Sequence, residues 1–199
     1  MTFAYVSGRP CLDLVGTLKW RRRLVPDEQF DAPARVAEWA RGAQLLSRLG
    51  PVSVGDLERA IRVREAIYRT VTARLAGAGP FPRDRSLLNA AAAEQPVTTT
   101  LTTRGDIRRI GSCRQLLASV VLDAFDLLGG DQLALVRECE APDCTRLFVD
   151  SSHGRSRRWC GMAECGNRAK VRAFRERQGA IGTGGRGTAG RSLAADATN

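Results

Sequence analysis

Four cysteines set the chemistry that this sequence can do. Cys139 and Cys144 form one pair and Cys160 and Cys165 a second, each with four intervening residues, and fifteen residues separate the pairs. Zinc takes four ligands at tetrahedral corners, with sulfurs about 2.3 Å from the metal. A closely spaced pair supplies two corners from one turn, and a second pair that folds back supplies the other two. Four thiolates leave no open position for water or substrate, so the expectation is one structural Zn²⁺ rather than a catalytic one. Two disulfides are the competing reading. The opening Met1-Thr2-Phe3-Ala4-Tyr5 lacks the basic-then-apolar pattern of an export signal, which argues for reduced thiols and a cytoplasmic location. His153, the single histidine, lies in a turn between the pairs and is the rival ligand. Gly161 and Gly166 directly follow cysteines, where a tight turn would suit a residue without a Cβ.

The elements around the cysteines must present them. The pattern predicts a strand near 133–137, the first pair, a second strand at 146–149, a turn at 151–154, the second pair, and a helix from about 165 to 178. A hairpin plus a helix, with the last ligands at the helix start, is treble-clef-like. Its apolar content is slim, so structural zinc supplies much of its folding free energy. Along the helix Arg168, Arg172 and Arg175 recur at i, i+4 and i+7 and line one side. Val171 and Phe174 sit a quarter turn around and are expected to pack on the hairpin, as is Trp159. Arg155, Arg157 and Arg158 precede the third cysteine, and Lys170 adds to the helix. Together these seven cations are the candidate nucleic-acid contacts. Arg158 and Arg168, beside cysteines, could equally balance the formal −2 of a four-thiolate zinc site.

The charge distribution agrees. The net charge is +10 over 199 residues; residues 151–199 hold ten Arg or Lys against three Asp or Glu, whereas residues 1–150 hold twenty-one against eighteen. A basic excess confined to one module is what an anion-binding surface requires, and charge alone does not separate DNA from RNA. No apolar run approaches the ~18 residues of a membrane span. Residues 179–199 are Gly-, Ala- and Thr-rich and read as a disordered tail.

Residues 1–130 read as a separate domain, mainly α with one small β-hairpin (α+β). Helices are expected at about 33–48, at 54–76 behind a Ser53–Asp56 capping box, at 82–94 and from Ser112 to Gly129-Gly130. The stripe on the second comprises Leu57, Ala60, Val63, Ile67, Val71 and Leu75. Gly105-Asp106 is the predicted turn of a hairpin spanning about 97–110. No catalytic constellation emerges: the histidine lies outside, and Cys11 and Cys113 are isolated. The chain is expected not to be an enzyme. Trp20-Arg21-Arg22-Arg23 reads as a solvated edge in preference to a phosphate contact. Asp13 and Glu65 either line a ligand pocket or pair with neighbouring arginines.

Arg157-Arg158-Trp159-Cys160-Gly161-Met162, running on to Cys165-Gly166-Asn167-Arg168-Ala169-Lys170, resembles the CGNR zinc finger, over about residues 133–178. Gly8-Arg9-Pro10-Cys11-Leu12-Asp13-Leu14-Val15 and Arg64-Glu65-Ala66-Ile67-Tyr68 resemble the ABATE domain that usually precedes it. With the segregated charge, the resemblance implies a stress-responsive transcription regulator that binds double-stranded DNA, whose N-terminal domain senses a small-molecule effector or forms a homodimer. A zinc-stabilised module that binds RNA or a protein partner is the alternative. One departure stands out: Val15-Gly16-Thr17 has glycine where ABATE domains tend to carry asparagine.

Overall fold

The computed structural model describes residues 2–183. Its N-terminal part is built from five helices and two small sheets. Helix α1 (Pro10–Val15) opens with proline at its first position, where the missing N–H costs nothing. Strands β1 (Leu18–Lys19) and β2 (Asp27–Glu28) pair antiparallel. Then follow α2 (Pro33–Gly42), β3 (Arg48–Leu49), α3 (Val54–Leu75), α4 (Pro82–Ala92), β4 (Thr98–Leu101), β5 (Ile107–Gly111) and α5 (Cys113–Gly129).

Both long helices start on reciprocal caps. Ser53 Oγ accepts from the Asp56 N–H at 3.1 Å while Asp56 Oδ2 accepts from the Ser53 N–H at 3.0 Å. Ser112 and Gln115 repeat the arrangement on α5. Such caps are typically worth about 1 kcal/mol each. Helix α5 is the axis of the core: Leu116, Leu117, Val120, Val121, Ala124 and Leu127 are buried among Leu12 and Val15 of α1, Ala60, Val63 and Ile67 of α3, and Leu88 of α4. The predicted stripe on α3 holds except at its end, where Leu75 is 42% exposed.

Other differences have local causes. Helix α2 ends at Gly42 rather than near 48, because Gln44 takes a left-handed φ of 56°. The hairpin forms as expected, with Thr98 opposite Ile110 and Leu101 opposite Ile107, but it gains a third strand, β3, that runs parallel to β5.

After α5 comes a 3₁₀ turn (Asp131–Leu135) where a strand was expected, then β6 (Val136–Glu138) and β7 (Leu147–Val149), which pair antiparallel. A second 3₁₀ turn (His153–Arg155) and one π turn (Met162–Gly166) lead into α6 (Asn167–Thr183). Side chains alternate across a strand, and β7 uses both faces. Leu147 and Val149, with Val136 of β6, enter the main core, whereas Phe148 between them packs against the cysteines. One hairpin therefore serves two cores, and the finger is not the self-contained module that its sequence suggests. Helix α6 continues past 178 to Thr183; residues 184–199 of the expected tail lie outside the described residues. No helix among the described residues is long and apolar enough to cross a membrane.

Candidate metal centre

The β6–β7 hairpin delivers the first cysteine pair. The Cys139 N–H donates to the Arg146 carbonyl at 3.0 Å and closes the hairpin, while the Cys144 N–H donates to the Ala141 carbonyl at 2.9 Å. The Glu140 N–H, bonded to the Arg158 carbonyl at 3.0 Å, brings the return segment alongside. Cys165 sits in the π turn at the foot of α6. Asp150 holds the intervening turn: its carboxylate accepts from the Ser152 hydroxyl at 2.6 Å, the Ser152 N–H at 3.0 Å and the Arg157 N–H at 3.0 Å. These bonds, the Ser152 hydroxyl first, hold the Asp150 carboxyl below its ordinary pKa.

The four sulfurs lie within 4.8 Å of one another, all buried, and none is in a disulfide. The Cys144–Cys160 and Cys160–Cys165 separations are 3.9 and 3.6 Å; a tetrahedron with bonds of about 2.3 Å has edges of about 3.8 Å. The Cys160 N–H donates to Cys139 Sγ at 3.3 Å, a bond that favours thiolate. As bare thiols the four impede one another: contact with Cys144 and its neighbours lowers the Cys139 pKa, and contact with Cys139 and Cys144 raises that of Cys160. A divalent cation removes that conflict by stabilising every thiolate. Donor type, spacing and burial thus suit one structural zinc. His153 is exposed and outside the cluster. Gly161 is extended, a conformation open to any residue, while a Cβ on Gly166 would lie 2.6 Å from Met162 Sδ. The glycine after the fourth cysteine makes room for Met162; neither glycine forms a left-handed turn.

Two family models match the chain. Residues 8–131 match the ABATE family model, described as "Putative stress-induced transcription regulator", and residues 136–178 match the CGNR zinc finger. The chain belongs to the ABATE family. A search of curated proteins gave no match to the chain.

The seven candidate cations of the finger divide by environment. Arg157 is turned inward: its guanidinium lies 4.3 Å from the Phe148 ring centre and donates to the backbone carbonyls of Val6, Trp159 and Cys160. It ties the finger to the N-terminal segment, with Nε and Nη2 engaged on those carbonyls. Arg158 pairs with Glu140 at 2.6 Å and lies over Trp159, which packs against the cysteine cluster as expected. Arg168 leans on Trp20 with 4.9 Å to the ring centre. Arg155, Lys170, Arg172 and Arg175 are exposed. Val171 and Phe174 do not pack on the hairpin; they are 49% and 54% exposed.

The run Trp20–Arg23 is neither a solvated edge nor a free phosphate contact. Arg22 pairs with Glu138 at 2.5 Å and Arg23 with Asp143 at 2.9 Å, both on the CGNR hairpin, and Lys19 pairs with Glu164 at 2.9 Å. Arg21 bridges Glu65 to the Val15 and Leu18 carbonyls. Glu65 is held below its ordinary pKa: burial pushes it up, but the Arg21 hydrogen bond and the Arg21 and Arg64 charges outweigh that. Arg64, only 1% exposed, grips Glu28 at 2.6 and 2.7 Å and Glu65 at 2.8 Å. Of the two carboxylates singled out in the sequence, Glu65 thus pairs with arginines. Asp13 instead accepts from the Ser7 N–H at 2.9 Å, its pKa raised by burial. Cys11 and Cys113 are buried, and burial pushes the Cys113 thiol up to about 12, an inert state.

Arg146 is the residue that sequence reasoning missed. It follows the second cysteine by two positions, is buried, and donates to the Ala4 carbonyl at 3.1 Å and the Gly16 carbonyl at 3.0 Å. A Cβ on Gly16 would lie 2.1 Å from its Nη1. The departure at residue 16 therefore has a physical reason: the missing side chain leaves space for a guanidinium from the finger. Gly16→Asn is expected to displace Arg146 and cost about 1–3 kcal/mol, the usual cost of overpacking. Thermal unfolding of the zinc-loaded protein measures it, and an unchanged midpoint would contradict the packing argument.

Proposed function

We propose that this ABATE protein is a zinc-dependent transcription regulator that binds double-stranded DNA through α6 of its CGNR finger. The protein is read as non-catalytic and cytoplasmic, with an ABATE domain that senses an effector or forms a homodimer. The exposed cations of α6 carry this reading. Arg168, Arg172 and Arg175 line one shallow groove with Asn167 and Val171, and Lys170, Arg175 and Arg177 make no ion pair among the described residues. An exposed helix with a row of arginines has the size for a major groove and the donors for phosphate and guanine edges. Arg155 and Arg158 flank it as further candidates.

Arg172→Ala with Arg175→Ala is expected to weaken duplex binding at moderate salt. It should also reduce the slope of log K against log salt by about 1.8, since each neutralised phosphate contributes about 0.9. Fluorescence anisotropy across a salt series reads both effects, with zinc content as the control for folding. Equal affinity and slope in the variant would remove α6 as the contact surface. The exposed Val171 and Phe174 favour a second reading, in which the helix binds RNA or a protein partner. Stacking or apolar contact would then contribute, and truncating Phe174 would cost more than truncating Arg175.

A further inference from the structure

We propose that the β4–β5 ribbon of the ABATE domain is a second contact for duplex DNA, separate from α6. Residues 1–150 hold twenty-one cations against eighteen anions. Arg48, Arg104, Arg108 and Arg109, set against Asp106, make up the whole of that excess, and all belong to one small sheet, ordered β3, β5, β4, and its turn. Elsewhere in the domain arginines find carboxylates, as Arg21, Arg22, Arg23 and Arg64 do. None of the four on the sheet makes a side-chain hydrogen bond or ion pair among the described residues. The carboxylates at the base of the sheet are already engaged. Glu94 pairs with Arg114 at 3.2 Å, and Asp56 caps α3 through Ser53.

Residues paired across a sheet project from the same face. Ile110 pairs with both Arg48 and Thr98, and Arg108 pairs with Thr100, so Arg48, Arg108, Thr98 and Thr100 share one face. The opposite face lies on the core at its base: a Cβ on Gly111 would meet Val97 and Gln115, and Leu49 packs inward. The arginine face is therefore the outer one, and Arg48 and Arg108 on it are exposed. Strand β3 reaches only Ile110 and Gly111, so the outer ribbon is two strands wide. A ribbon of that width enters the ~12 Å major groove of B-DNA. At its tip the Gly105 N–H, with φ at 85°, donates to the Thr102 carbonyl at 2.9 Å, and the Asp106 N–H donates to the Thr102 hydroxyl at 3.0 Å. This turn holds exposed Arg104 at the end of the ribbon. Guanidinium groups take phosphates or guanine edges, and threonine hydroxyls take phosphates. The major groove of duplex RNA is too narrow for a ribbon, and single strands call for aromatic platforms, which residues 97–111 lack.

The assignment rests on the DNA reading for its partner but not for its surface, so the two surfaces are tested side by side. Binding of a mixed-sequence DNA duplex to the full-length zinc-loaded protein is followed by anisotropy across a salt series. The proteins are the wild type, Arg48→Gln with Arg108→Gln, Arg172→Ala with Arg175→Ala, and all four changes together. The ribbon pair should weaken binding at least about tenfold at about 0.1 M salt and lower the salt slope by about 1.8, with or without the α6 changes. Arg48→Lys with Arg108→Lys should keep the slope, because the charge remains, and zinc content and melting midpoint should not move. Unchanged affinity and slope in the ribbon pair, the same slope loss in the lysine pair, or an equal loss on duplex RNA of the same sequence overturns the assignment. Leu101 and Ile107 are exposed on the other face near the tip, which makes a second copy the rival occupant. Dissociation of a dimer by the ribbon pair, with duplex binding intact, would give the surface to that copy. Loss of binding in the ribbon pair alone, with the α6 pair at wild-type affinity, would leave the ribbon standing and remove α6. No duplex binding by the wild type removes both.

Discussion

Replacing Cys144 with serine is expected to empty the zinc site and to lower the stability of the entire chain, not of the finger alone. Serine is a poor zinc ligand, and the remaining three cysteines would hold the metal much more weakly. The second effect follows from β7. Leu147 and Val149, beside the cluster, are buried in the same core as α1 and α5, and Arg146 is bound to the Gly16 carbonyl. When the cluster loosens, the hairpin loses its clamp and that apolar surface becomes wet. A loss of about 3 kcal/mol would lower the midpoint of thermal unfolding by roughly 6–12 °C for a chain of this size. Zinc content by atomic emission and helix content by circular dichroism through a melt give the answer. Full zinc occupancy would overturn the four-thiolate site. Zinc loss with the helices melting at the wild-type temperature would mean that the two cores are independent.

Arg64→Met should produce the next largest loss. Arg64 is buried and is the common partner of Glu28 and Glu65, whose side chains are 34% and 23% exposed. Removing one partner of a buried ion pair typically costs 3–5 kcal/mol, but both carboxylates keep some water and Glu65 keeps Arg21, so about 2–3 kcal/mol is expected. Adding Glu28→Gln to Arg64→Met should cost less than the two single changes summed, because the second change removes a carboxylate that the first left unpaired. Denaturant melts of the four proteins close that cycle. Strict additivity would show that the bidentate contact contributes nothing of its own.

What could be read from the sequence was local. Ser53–Asp56 and Ser112–Gln115 declare helix starts within four residues, and both caps formed. The cysteine spacing carries the metal site because ligand geometry is set by a turn on each side. Periodicity placed α3, α4 and α5, and the Gly105-Asp106 turn placed the β4–β5 hairpin. What failed depended on distant partners. Strands of two residues have no period to detect, so β1, β2 and β3 were invisible. The run Trp20–Arg23 looks like any solvated basic cluster until Glu138 and Asp143 of the finger come to meet it. Arg157 is indistinguishable in sequence from Arg158, yet one lies against Phe148 and the other on the surface. Val171 and Phe174 were expected to pack on the hairpin from their place around the helix, but the apolar neighbours of the cysteine cluster are Phe148, Ala141 and Trp159.

The hairpin that serves two cores limits how this protein can be recombined. A chimera spliced at the ABATE–finger junction near residue 135 would exchange Arg146, Leu147 and Val149 for residues selected beside another residue 16, and the seam would run through the middle of a packed interior. A graft placed after Gly166 cuts the start of a surface helix and the Arg168 contact with Trp20, but leaves the shared hairpin whole. Residues 167–178 are mostly solvent-exposed, so that helix can be traded between relatives while cradle, cap and host domain stay together. On the DNA reading proposed above, new binding preferences can then arise in one short interchangeable segment without putting the fold at risk.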